Sequence, residues 1–215
     1  MSLAGFATRI IAHELPASQI IALEPDAGNY AMLRRNTEHL RQRVRALHTA
    51  LWGRRATLEL GSSARHHGAA REWNIMVSES QAKMRNFRPR AQRSAVVAMT
   101  MSEIQRCFRA SIDFVKLDVE GAEVSLFGGN TGWLGEIRYL YMELHPSTVG
   151  RDAIATILDT LLAHNMTVIA SSVTWGESIY LACSGRVPPA DCHLLCAEWR
   201  CGRSGTCQRC RGTGM

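Results

Sequence analysis

Short apolar runs of strand length alternate with stretches of helical period along most of this chain, and no other feature restricts its possible folds so strongly. Residues 3–13 carry apolar side chains at helical spacing and reach a stop near Pro16. Residues 19–23 are a short apolar run, which predicts a buried parallel strand ending at Glu24, Pro25 and Asp26. From residue 28 to 40 the helical period returns, with Tyr30, Leu33 and Leu40 on one side, and residues 44–48 predict the next strand. Further on, 112–117 and 137–144 read as strands, and 102–108 and 122–127 as helices, with Ser102 as the N-cap of the former. Residues 151–165 predict an amphipathic helix whose buried face is Ile154, Ile157, Leu158, Leu161 and Leu162. Two strands, 166–170 and 178–182, close the pattern around a turn at Trp175 and Gly176. Such alternation predicts an α/β fold with a doubly wound, mostly parallel sheet. In it 19–24, 44–48, 112–117 and 137–144 are neighbouring parallel strands, with 166–170 beside them and 178–182 antiparallel at the end.

The middle of the chain breaks this rhythm. Residues 58–60, 74–77 and 95–99 are short strand-like pieces separated by glycine, serine and arginine, which predicts an antiparallel insertion or loops over a sheet edge. With 215 residues and 46% hydrophobic content the chain has enough for one domain with a sizeable core. No apolar run approaches the roughly 18 residues that cross a bilayer, and residues 1–16 lack the layout of a secretory signal. The expected compartment is the cytoplasm.

The formal charge is +6, nearly all of it arginine, since Lys83 and Lys116 are the only lysines. Arginines cluster at Arg34, Arg35, Arg41, Arg43 and Arg45, and again at Arg85, Arg88, Arg90 and Arg93. With Phe87 the one aromatic residue among them, and no aromatic series as a base-stacking platform requires, these clusters read as solvated faces, and nucleic acid is not an expected partner. Five cysteines crowd the end of the chain: Cys192, Cys196, Cys201, Cys207 and Cys210. One Cys-x-x-Cys pair with His193 nearby has zinc-ligand spacing, but no second pair accompanies it, so no metal is expected there. The chain accordingly reads as a domain over 1–185 followed by a disordered Cys/Arg/Gly-rich tail over 186–215.

Two places carry chemistry. Glu24 stands at the carboxyl end of the first predicted strand, where an acid in an open α/β sheet accepts hydrogen bonds from the two ribose hydroxyls of a nucleotide. Taken alone it suits an ordinary strand-to-helix loop equally well, and NAD as well as S-adenosylmethionine. The second place is residues 113–123, where Asp113, Lys116, Asp118, Glu120 and Glu123 sit in and just beyond a strand otherwise built for burial. Charges there are costly unless paired or functional. Acids favouring a helix dipole would explain Glu123, but not Lys116, which is expected to ion-pair. His145, after an apolar strand and before Pro146, suits either proton transfer or the satisfaction of loop backbone groups.

Residues 20–26 with Asn29, Tyr30, Leu33 and Asn36 resemble the second strand and helix of FkbM-type methyltransferases. Residues 116–123 are similar to that family's K-x-D-x-E-G-x-E motif, and Ala50-Leu51 and Glu143-Leu144-His145-Pro146 also fit. The resemblance covers residues 3–183. It implies a Rossmann-like class I methyltransferase fold, with S-adenosylmethionine as cofactor and a hydroxyl on a sugar, glycan or secondary metabolite as acceptor. It also implies that Glu24 holds the ribose, Asp26 and Ala50 flank the adenosine, and Asp118 faces the methionine end. Asp118, Glu120 and His145 are the implied catalytic residues, with Glu123 also on the acceptor side. That family opens with a strand ending in a D-x-G-A-N-x-G-like turn, whereas this sequence starts at the following helix. The first strand and glycine loop are therefore expected to be missing from it. The competing expectations are an inactive remnant of the fold, or a nucleic-acid-binding module using the arginine clusters and a zinc-bound tail.

Overall fold

Two helices and two strands open the chain, and their placement follows from a few side chains. The computed structural model describes residues 4–63, 75–79, 87–89, 94–109, 111–174 and 177–188. The chain divides into two compact units, Met1–Thr100 and Met101–Met215.

In the first unit, α1 (Phe6–Glu14) starts at Gly5, whose φ of 86° favours glycine. A Cβ there would also stand 3.2 Å from Leu33 Cδ1, so Gly5 lets α1 approach α2 (Ala27–Thr37). Arg43 ends α1: its guanidinium donates to the carbonyls of Ala12, Leu15 and Pro16 at 2.9, 3.3 and 2.8 Å. One member of the arginine cluster thus has a structural task. β1 (Ile20–Leu23) and β2 (Val44–Leu47) pair in parallel, Ile20 opposite Val44 and Leu23 opposite Leu47. They form a two-stranded sheet, and β1 is half-buried along its length rather than buried as its apolar run suggested. Among the described residues each of these strands hydrogen-bonds to one neighbour only.

The middle segment is an antiparallel sheet, as its strand-like pieces suggested. β4 (Ala56–Ser63) pairs antiparallel with β5 (Ile75–Ser78), β6 (Phe87–Pro89) and β7 (Ala95–Met99), and β3 (Ala50–Leu51) runs parallel to β7. Leu58 and Leu60 alternate inward on β4 and supply its core contacts.

The second unit holds a four-stranded sheet in the order β10-β11-β9-β8. β8 (Phe114–Leu117) and β9 (Tyr139–Leu144) are parallel, with Phe114 opposite Tyr139 and Leu117 opposite Met142. β11 (Glu177–Ser184) lies antiparallel against β9, and β10 (Met166–Thr174) pairs antiparallel with β11. The expected order therefore needs correction: 166–174 is not beside 139–144, because β11 lies between them. Burial explains the arrangement. Leu181, Ala182 and Cys183 of β11 are buried, whereas Val173 of β10 is 76% exposed, as suits an edge. A single doubly wound parallel sheet is not found either: among the described residues the three parallel pairs, β1 with β2, β3 with β7 and β8 with β9, belong to separate sheets, in a mixed α/β arrangement.

Helix boundaries show smaller departures. α3 (Met101–Phe108) already includes Ser102, so Ser102 is not its N-cap. α4 (Glu123–Gly128), α5 (Pro146–Val149) and α6 (Arg151–Ala163) follow. Ile157 and Leu161, one turn apart, are buried on α6, but Leu162 is 63% exposed because it is rotated about 100° from Leu161. Past β11 the chain stays packed through Val187, which is buried, and Arg186 donates to the Ile137 carbonyl at 3.1 Å. The turn at Trp175 and Gly176 and the cysteine-rich stretch from 189 on lie outside the described residues. No helix among those described is long and apolar enough to cross a membrane.

Candidate functional site

The expected site residues fall into two groups. Glu24, Asp26 and Ala50 belong to the first unit, and Asp118, Glu120 and His145 to the second.

At the end of β1 the chain leaves the strand through Glu24 and Pro25 and enters α2 at Asp26. The Glu24 amide still donates to the Leu47 carbonyl of β2, which seats the residue at the carboxyl end of the parallel pair. Its Oε1 accepts from the Asp26 amide at 2.9 Å. Asp26 in turn is the N-cap of α2, extended in backbone, with Oδ1 accepting from the Asn29 amide at 2.8 Å. The two carboxylates therefore organise one turn. Beside it the Tyr30 and His48 rings stack with centroids 5.1 Å apart, and the His48 Nε2 lies 3.1 Å from the Pro25 carbonyl. A cavity of about 390 Å³ opens here, lined by Pro25, Asp26, Ala27, Gly28, His48 and Ser94 among others. Ala50 is 2% exposed and pairs with Ala98, so its side chain is enclosed rather than presented at the rim.

The second group is denser. Along β9, Leu140, Met142 and Leu144 are fully buried, while Tyr139, Tyr141 and Glu143 alternate onto the more open face. β8 does the same, with Val115 and Leu117 inward and Lys116 outward. Continuing the register of Lys116 with Tyr141 sets Asp118 opposite Glu143. Lys116 Nζ ion-pairs with Asp118 Oδ2 at 3.1 Å and lies 5.7 Å from the Tyr141 ring centroid. Burial, with Glu143 and Asp118 nearby, raises the Tyr141 hydroxyl above its ordinary pKa. Asp118, Glu143 and His145 each bring one ligand-type atom within 4.8 Å of the other two. A protein cation is already seated on Asp118, so we assign no metal to this group.

Past β8 the backbone turns left-handed, at φ 50° for Glu120 and 101° for Gly121. A non-glycine residue held there costs on the order of 1–3 kcal/mol, a strain concentrated at functional turns. This turn aims Glu120 Oε2 to 3.5 Å from His145 Nε2. On the other side of the ring, Glu123 Oε1 lies 2.9 Å from Nδ1. Glu123 is 0% exposed, so it stands beneath the histidine rather than lining an open acceptor face. The His145 side chain reaches these carboxylates, while its backbone carbonyl accepts from the Thr148 and Val149 amides at the start of α5. The structure brings Asp118, Glu120 and His145 near one another and adds Glu143, which period-two alternation from Tyr141 could have indicated.

A family model described as the methyltransferase FkbM domain matches residues 5–167 of the chain. No curated protein and no solved structure shows a significant match.

Proposed function

The chain belongs to the FkbM methyltransferase family, and from that premise we propose that it transfers a methyl group from S-adenosylmethionine to a hydroxyl oxygen of a sugar, glycan or secondary metabolite. The observation that carries this reading is the acid at the end of a parallel strand running directly into an acid-capped helix, Glu24 to Asp26. Its donor set fits the cofactor: a carboxylate at that position accepts from both hydroxyls of a ribose, and the adjoining cavity by Asp26 and His48 offers room beside it. Glu24 would hold the ribose, Asp26 would flank the adenosine, and Asp118 would face the methionine end. The bound cofactor supplies an electrophilic methyl on sulfur.

The chain's own residues then have three tasks. They align the acceptor oxygen with that methyl, exclude water and receive the hydroxyl proton. Asp118, Glu120 and His145 are proposed for the acceptor side, because they are gathered at the carboxyl end of β8 and β9. The test is incubation with methyl-labelled S-adenosylmethionine and a panel of sugars, glycans and hydroxylated small molecules. Label is expected on acceptor oxygen, with Glu120→Gln slowing turnover about 100-fold or more. Transfer to nitrogen or carbon only, or to no member of the panel, would overturn the assignment of hydroxyl acceptors.

A further inference from the structure

The His145 ring lies between two carboxylates, and only one of them is buried beyond the reach of water. Glu123 is 0% exposed, its Oε1 lies 2.9 Å from Nδ1, and its Oε2 has no hydrogen-bond partner among the described residues. A buried carboxylate so poorly solvated by protein dipoles is costly as an isolated anion. The cost falls if the pair it forms with the imidazole is neutral overall, which requires one more proton than an anionic Glu123 with a neutral ring carries. Three further carboxylates among the described residues act in the same direction. Glu120 from the turn after β8 stands 3.5 Å from Nε2, and Asp118 and Glu143 bring oxygens within 4.8 Å. Lys116 is seated on Asp118 and offsets that charge. Carboxylates on this many sides favour a charged ring.

We infer that Glu123 holds His145 as an imidazolium, with Nδ1–H donated to Glu123 and Nε2 facing Glu120 at an ion-pair distance of 3.5 Å, with no hydrogen bond there among the described residues. This deepens the methyltransferase reading and rests on it in one respect, the division of labour at the acceptor side. His145 and Glu123 are then positioning residues, and Glu120 is the catalytic base. Glu120 has the access this needs, its side chain being 25% exposed against 5% for His145. The imidazolium keeps Glu120 ionised and counters the strain of its left-handed backbone by anchoring the side chain. As the acceptor oxygen forms its bond to the methyl carbon, the carbon–sulfur bond breaks and its electron pair stays on sulfur. The proton, acidified by the positive charge developing on that oxygen, passes to a Glu120 carboxylate oxygen and from there to solvent.

The charge of the ring can be read directly by nitrogen-15 NMR of the histidine side chains in the full chain, without cofactor or acceptor, with His145→Gln identifying the resonance. Both ring nitrogens of His145 are expected to show protonated character at about pH 8, where a histidine with the ordinary pKa of about 6.5 is neutral. Glu123→Gln, which keeps the shape and removes the charge, should lower the midpoint of His145 by at least about one unit. A neutral ring in the wild type at that pH overturns the inference without any variant, and so does a midpoint unmoved in a folded Glu123→Gln protein. Because the measurement involves no methyl donor, a charged ring in a protein that fails to bind S-adenosylmethionine would sink the functional reading and leave this inference standing.

Discussion

The parallel pairs β1–β2 and β8–β9 end in acids of very different standing. At the end of β1, Glu24 and Asp26 each accept a backbone amide within three residues, so both serve a local turn. At the end of β8 and β9, the side chains answer one another across the sequence: Glu123 and His145 are 22 positions apart and fully packed. The same residue types thus do two things. In the β1 turn the carboxylates organise backbone, Asp26 buried and Glu24 half-buried. Where the strands lie in a four-stranded sheet with Leu140, Met142 and Leu144 buried beneath, a carboxylate can be sealed in, and its charge becomes a structural matter.

That contrast is broken most easily at Glu123. Replacing it with alanine removes one member of a buried pair and leaves His145 among the remaining acids, a change that typically costs about 3–5 kcal/mol. Urea unfolding followed by circular dichroism should register it, and a loss below about 1 kcal/mol would mean the pair is not ionic. Asp26→Ala deletes the N-cap of α2 and should cost only about 1 kcal/mol. If the loss there equals that at Glu123, the distinction between a local turn and a sealed network fails.

The smallest effect concerns the alkaline limb. Tyr141 has its pKa raised from 10.0, first by burial and then by Glu143 and Asp118. A raised value means the folded state resists losing that proton. The contribution is therefore intact below the unfolded pKa and is lost as pH climbs through the folded one. Tyr141→Phe should lose less stability than the wild type as pH rises past about 10, as urea midpoints on either side of that pH will show. Parallel alkaline limbs would place the hydroxyl in ordinary solvent.

The sequence was most readable where structure is local. The run before Glu24 and the ionised stretch from Lys116 to Glu123 could both be located from spacing alone, whereas the Asp26 cap of α2 was found only in the structure. The Lys116 ion pair followed from the cost of a charge in a strand. The sheet order was not readable, because β11 inserts between β9 and β10 through burial of Leu181 and Ala182 rather than through any local signal. Nor was the fate of Glu123, which as a first-turn acid looks like an exposed partner of the helix dipole. Its burial depends on where His145 comes to rest.

Titration calorimetry with S-adenosylmethionine is the sharpest test of the nucleoside site proposed at the Glu24 turn of this FkbM-family chain. The cofactor should bind, and Glu24→Ala should weaken it by about 1.5–3 kcal/mol for lost hydrogen bonds to a charged acceptor. That is roughly one to two decades in affinity. Glu38→Ala, an exposed acid in the single 3₁₀ turn after α2, should leave it unchanged. Equal affinity with and without the Glu24 carboxylate would contradict the ribose assignment, and no binding by the folded wild-type chain would contradict the proposed site itself.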